Sequence, residues 1–190
     1  FDATGHLAAQ PRAVFDKLPQ NQLLTMKMDV PEAWLMEPVT AGHDLDNIKL
    51  SAVTQASIYA RFKISKLYVQ GNCDEQPSGQ PPRGLQLALS TPGLGRTVSD
   101  TLVMANLGYF QLKAMPGTFE LNMVPGRSTE LYGMLGGNGL DKGSNGSFAM
   151  SVDSFTGRHV ALSVKKKEGK ENAQLLEVPE GSKLNLWGRL

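Results

Sequence analysis

An all-β fold, an antiparallel β-sandwich of roughly ten to thirteen short strands with little helix, is what this sequence predicts. Three observations predict it. The apolar runs are short, and several alternate with polar residues at a period of two, as half-buried strands do. Gly 20 and Pro 11 are spread between those runs, which suits many turns and few helices. No strand–helix–strand alternation or internal repeat appears, which argues against a nucleotide-binding α/β sheet.

The sharpest wording lies in 79–117. Pro81 and Pro82 fix φ and lack donors, so they lead into a strand rather than sit inside one. Leu85, Leu87 and Leu89 alternate with Gln86 and Ala88. Thr101–Ala105 and Tyr109–Met115 follow, joined by a tight connection at Asn106-Leu107-Gly108 and closed by Pro116-Gly117. The pattern predicts a β-meander near the middle of a sheet.

The other elements divide the chain into an arm or end of a preceding domain (1–22), a sandwich domain (23–165) and C-terminal edge strands or a linker (166–190). In the arm, Arg12–Leu18 is fenced by Pro11 and Pro19 and reads as a short turn or irregular segment. Leu23–Met28, Ala33–Val39 and Ile48–Val53 read as extended, with a polar turn at His43-Asp44-Leu45-Asp46-Asn47. Ile58–Ile64 and Leu67–Val69 form the next strand, and Gly71–Gln80 a loop. Beyond 117, Phe119–Val124, Leu131–Leu135, Phe148–Val152 and Val160–Val164 are strands. Gly126-Arg127-Ser128 is a turn and 136–147 a mobile surface loop. A charged turn at Lys165–Glu171 precedes an edge pair, Leu175–Val178 with Leu184–Leu186.

Composition limits function. The 190 residues are 41% hydrophobic, enough for a core, and the net charge is +1. That balance offers no basic surface for nucleic acid or an anionic membrane. No apolar run approaches the ~20 residues of a membrane-spanning helix. The chain opens on Phe1 rather than Met, so it is expected to be an internal or processed piece. One cysteine, Cys73, allows no internal disulfide.

The residues that invite chemistry have structural explanations. Asp44 and Asp46 lie two apart on an extended segment and could share a cation with His43 or Asn47; the favoured reading is a turn in which their side chains bond nearby backbone. Gly93-Leu94-Gly95-Arg96 lacks the third glycine and the helix of a dinucleotide loop and reads as a hairpin. His6, His43 and His159 have no metal spacing. Cys73 sits beside Asp74 and Glu75, which raise rather than lower a thiol pKa. No serine lies in a nucleophile elbow. Trp34, Tyr59, Tyr68, Tyr109 and Phe110 could form a sugar-stacking or peptide-binding face, with core and cross-strand packing the favoured reading, less so for the tyrosines. No catalytic, cofactor-binding or metal residue is assigned.

Several long words resemble, in order, blocks of the UDP-glucose:glycoprotein glucosyltransferase family. They are Thr25-Met26-Lys27-Met28-Asp29-Val30-Pro31-Glu32-Ala33-Trp34-Leu35, His43-Asp44-Leu45-Asp46-Asn47-Ile48, Gly79-Gln80-Pro81-Pro82-Arg83-Gly84-Leu85-Gln86-Leu87 and Asp100–Ala114. Pro125-Gly126-Arg127-Ser128 adds a shorter one. The match runs from about Leu23 to Val164; 136–147 and the tail after Lys165 match no block. The resemblance implies an enzyme of the endoplasmic reticulum lumen. Such an enzyme senses misfolded glycoproteins and transfers glucose from UDP-glucose to their high-mannose N-glycans. It implies thioredoxin-like domains, then β-sandwich domains, then a catalytic domain that uses a divalent cation, calcium. This segment is similar to the sandwich region before the catalytic domain. Its implied partners are those neighbouring domains and misfolded clients, with no nucleic acid and no membrane span. Asp44 and Asp46 do not correspond to the catalytic carboxylates, and no cofactor is expected in this segment. A luminal origin puts the signal segment upstream of Phe1, leaves Cys73 unpaired within the segment, and makes Asn145, in Asn145-Gly146-Ser147, a candidate glycosylation site. The implied role is a scaffold between sensor and catalytic domains. The alternative is an independent glycan- or unfolded-peptide-binding module.

Overall fold

The computed structural model describes Thr4 and residues 12–143 and 146–176. Among these are twelve strands and one short helix: β1 Leu23–Leu24, β2 Trp34–Ala41, β3 Ile48–Lys49, β4 Ala60–Gln76, β5 Gln86–Ser90, β6 Thr97–Leu102, β7 Tyr109–Ala114, β8 Gly117–Met123, α1 Arg127–Leu131, β9 Tyr132–Asn138, β10 Asp141–Lys142, β11 Phe148–Val152 and β12 Arg158–Lys166. The all-β, sandwich-like class is as the sequence predicts. The chain forms two compact units. The smaller comprises the residues up to Asp29 with Pro38–Phe62; the larger comprises Val30–Glu37 and the chain from Lys63 onward.

In the smaller unit β1 pairs antiparallel with β3, Leu23 opposite Lys49 and Leu24 opposite Ile48. The Met26 N–H donates to the Leu45 carbonyl (2.8 Å). The strand expected over Ile48–Val53 stops at Lys49, because Leu50–Ala52 turn into a 3-10 helix. There the Ser51 N–H donates to the Gln20 carbonyl and the Val53 N–H to that of Leu50. Arg12–Leu18 has no regular structure, and Val14 and Phe15 are exposed.

The larger unit is built on two sheets, one ordered β10-β11-β8-β5-β6 and the other β2-β4-β12-β9, with β7 also on β4. Alternation along each strand supplies the core: Leu87 and Leu89 from β5, Phe119 and Leu121 from β8, Val69 from β4, Phe110 and Leu112 from β7, Val160 and Leu162 from β12. Each such fully buried side chain contributes about 1.5–3 kcal/mol relative to exposure. One pairing departs from an all-antiparallel sandwich, because β12 runs parallel to β4, Arg158 opposite Val69 through Lys165 opposite Gln76.

The meander expected over 79–117 is only half formed. β5 and β6 make a hairpin through the Gly93–Arg96 turn, where Gly93 and Gly95 have positive φ. β7 then leaves for the other sheet and pairs with β4, and β8 returns to pair with β5. Alternation fixes which face of β7 is apolar but not its partner. Its apolar face, Phe110, Leu112 and Ala114, enters the same core from the opposite side. β6 and β7 remain joined at the turn, where the Tyr109 N–H donates to the Asn106 carbonyl and the Met104 N–H to that of Tyr109. Leu107 (φ 55) and Gly108 (φ 66) take the positive-φ positions, a primed turn in which glycine is favoured and leucine uncommon.

Two glycine-containing stretches read as loops are strand in part. β4 continues through Gly71 to Gln76, and β9 runs through Gly136 and Gly137 to Asn138. A Cβ on Gly71 would overlap the Val160 carbonyl, and one on Gly137 that of Ala161. The glycines let neighbouring backbones approach rather than break the strands. Likewise Gly126-Arg127-Ser128 is no simple turn but the start of α1, which the Thr129 hydroxyl caps by accepting from the Gly126 N–H. The buried Ser128 hydroxyl accepts from the Gln86 N–H (3.0 Å) and ties α1 to β5.

Toward the C-terminus, the Arg127 guanidinium donates to the Gln174 carbonyl, while Ala173 and Leu175 pack against the core. Leu175 and Leu176 are not in a strand, and the rest of the expected edge pair lies outside the described residues. Among the described residues no helix is long and apolar enough to cross a membrane.

Candidate functional site

Side chains alternate along a strand, so the residues between the core positions of β4, β7 and β12 share the outer face of that sheet. In the β4–β7 register Tyr68 lies opposite Lys113, Gln70 opposite Gln111 and Asn72 opposite Tyr109. In the β4–β12 register Gln70 lies opposite His159 and Asn72 opposite Ala161. Tyr68, Gln70, Tyr109 and Gln111 are half-buried; Asn72 and His159 are exposed.

These side chains form a network. The Tyr109 hydroxyl donates to Gln70 Oε1 (3.2 Å) and accepts from Gln111 Nε2 (3.1 Å). Asn72 Nδ2 donates to the Leu107 carbonyl (2.9 Å), which fixes the β6–β7 turn against the face. Such bonds hold rings and amides in one arrangement, each contributing about 0.5–1.5 kcal/mol net.

Gln70 also lines an open hollow of 480 Å³ with Pro31, Glu32, Ala33, Trp34, Phe155 and Thr156. Trp34 and Phe155 meet edge to face, centroids 6.1 Å apart and planes at 68°. The indole N–H donates to the Phe155 carbonyl, so the tryptophan's polar atom is satisfied and its ring is held. Phe155 is 62% exposed.

At the other end of β4 the acidic groups are engaged. The Ser163 hydroxyl donates to Asp74 (3.0 Å to Oδ1), and Gln76 Nε2 donates to Asp74 Oδ2 (2.7 Å). The buried Tyr132 hydroxyl donates to Glu75 Oε2 (2.8 Å). Burial first, then the hydrogen bond and charge of Glu75, push the Tyr132 phenol up. Cys73 belongs to β4 rather than to a loop and is 2% exposed. Its thiol is pushed up to about 12, chiefly by burial and secondarily by Asp74. A thiol so held stays neutral and makes a poor nucleophile.

The other candidates scatter. Asp44 closes its own turn, Oδ1 accepting from the Asp46 N–H (3.1 Å) and Oδ2 from Asn47 Nδ2 (2.9 Å). Those two bonds, the Asn47 one first, hold its carboxyl below the usual range. Among the described residues no three His, Cys, Asp or Glu side chains gather as metal ligands. Phe110 is core, and Tyr59 is exposed in the smaller unit. Asn145 lies outside the described residues, as does His6. Of the aromatic candidates, then, Tyr68 and Tyr109 share one face and Trp34 lines the hollow beside it. The sequence reading missed Gln70, Gln111 and Phe155. A signal existed for the first two: Tyr68-Val69-Gln70 and Tyr109-Phe110-Gln111 both place a tyrosine and a glutamine two apart on one side of a strand.

A family model described as UDP-glucose:Glycoprotein Glucosyltransferase matches residues 70–177, which takes in the C-terminal part of β4 and everything from β5 to the C-terminal segment docked on α1. Relatives include the UDP-glucose:glycoprotein glucosyltransferase of Drosophila melanogaster, 42% identical over 179 residues. The UDP-glucose:glycoprotein glucosyltransferase 1 proteins of Mus musculus and Homo sapiens are 38% and 37% identical over 177 residues. Each comparison covers 93% of this chain but 11% of the relative, so the chain spans about a tenth of their length. The family match covers more than half of the chain, and on it the chain belongs to the UDP-glucose:glycoprotein glucosyltransferase family.

Proposed function

We propose that this chain is a non-catalytic β-sandwich segment of a glucosyltransferase that acts on glycoproteins in the endoplasmic reticulum lumen. Its role is to hold the parts that sense misfolded acceptors at a set distance from the part that transfers glucose from UDP-glucose with the help of a divalent cation. The observation that carries the reading is the family match, confined to 11% of each relative. What the described residues do with their reactive groups supports it. Asp44 is spent on a turn, Asp74 and Glu75 on strand-to-strand hydrogen bonds, and Cys73 is buried and neutral. Two sheets packed over one core make a stiff spacer, which a positioning role requires. Incubating the 190-residue chain with UDP-glucose, calcium and a denatured glycoprotein is expected to give no labelled acceptor. Glucose transfer by the chain alone would overturn the reading.

A further inference from the structure

We propose that the outer face of the β7–β4–β12 sheet, with the Trp34–Phe155 hollow at its margin, binds a neutral oligosaccharide. Strands of a solvated sheet face commonly carry charged side chains, and on this face β4 does so at Lys66, two residues before Tyr68. From Tyr68 onward the face changes character. Tyr68, Gln70, Asn72, Tyr109 and Gln111 are all neutral, all capable of hydrogen bonding, and all on one side by register. The cationic side chains, Lys66 and Lys113, gather at the Tyr68 end, and His159 lies across from Gln70 on β12. Asp74, at the far end, already accepts from Ser163 and Gln76. Such a face complements a ligand that is uncharged and rich in hydroxyl groups.

The geometry is held in advance. The Tyr109 hydroxyl bridges Gln70 Oε1 and Gln111 Nε2, so three side chains are fixed before any ligand arrives. Among the described residues, Gln70 Nε2 and Gln111 Oε1, a donor and an acceptor on one face, stand outside that network. A sugar hydroxyl is both donor and acceptor and satisfies such a pair. Aromatic rings add apolar area at low entropic cost, and the C–H faces of a hexose ring suit them. Gln70 belongs both to the network and to the open hollow. The face and the hollow are therefore continuous, and a ligand longer than one ring can span both. An apolar peptide segment, by contrast, would leave the amide groups unpaired on burial, which costs affinity.

The inference rests on the proposed function in one respect: a glycoprotein acceptor would bring hexoses to this face. It is tested without transfer chemistry. The isotope-labelled 190-residue chain is titrated with mannotriose and, separately, maltotriose, and amide resonances are followed. At least one trisaccharide is expected to move resonances in 68–72 and 109–111. Tyr109→Phe, which removes only the hydroxyl, and Gln70→Ala are each expected to weaken binding about tenfold or more while the spectrum stays folded. The proposal is overturned by flat titrations with both sugars at tens of millimolar, by shifts confined to other segments, or by an apolar peptide moving these resonances when the sugars do not. Flat titrations leave the non-catalytic reading standing, whereas glucose transfer by the chain would sink that reading and leave this one untouched.

Discussion

Cys73 shows how one residue's surroundings set its chemistry. On β4 it lies between the paired β7 and β12, out of water, and its thiol pKa rises from 9.0 to about 12. The sign of the consequence follows from linkage. Above pH 9 the unfolded chain releases the thiol proton and the folded chain keeps it, so alkali favours unfolding. Stability from this group is intact below pH 9 and is lost as pH rises toward 12. Tyr132, also raised, adds in the same direction above pH 10. Urea midpoints measured between pH 8 and 11 are expected to fall steadily above pH 9, and Cys73→Val to make the fall shallower. A wild-type curve flat over that range would contradict the burial of the thiol. The neighbouring charges were legible as a reason for a raised pKa. The larger cause, burial, was not, because the glycine before Cys73 and the acids after it read as a loop.

At the scale of elements, β4 organises the larger unit, pairing antiparallel with β7 and parallel with β12. Gly71 is where its backbone passes too close to Val160 for a side chain. Gly71→Ala is expected to cost about 2 kcal/mol or more by forcing β4 and β12 apart. Gly133→Ala on β9, where an added methyl meets nothing within 4 Å, is expected to change stability by less than about 0.5 kcal/mol. Chemical denaturation of the two variants checks this, and equal effects would refute the close-approach account. The contrast also marks what could be read in advance. Leu85, Leu87 and Leu89 announced β5 because period-two alternation is local. Gly93–Arg96 announced its hairpin because turn chemistry is local too. Gly71 and Gly137 depend on a carbonyl brought up by a distant strand, and the partner of β7 depends on how two sheets close. Neither is written within a window of sequence. The same limit governs the candidate face. Tyr68 and Tyr109 stood out by type, and the Tyr-x-Gln spacing in both strands put Gln70 and Gln111 beside them, but that these two lie opposite one another is set by the register.

For the whole molecule, the chain is a β-sandwich piece of a much longer family. Asp44 closes a turn, Asp74 and Glu75 cross-link strands, and Tyr109, Gln70 and Gln111 form a hydrogen-bonded network on the outer face of one sheet. The proposed role makes this segment one that positions an acceptor rather than one that performs transfer. The most direct measurement of that claim uses the Drosophila relative, 42% identical over the shared segment. Its corresponding segment is deleted, or replaced by this chain, and two rates are read on each protein: hydrolysis of UDP-glucose and glucose transfer to a denatured glycoprotein. The account predicts that deletion abolishes transfer while sparing hydrolysis, and that the replacement restores transfer. Loss of hydrolysis on deletion in a protein that remains folded, or a folded replacement that transfers no better than the deletion, would contradict it.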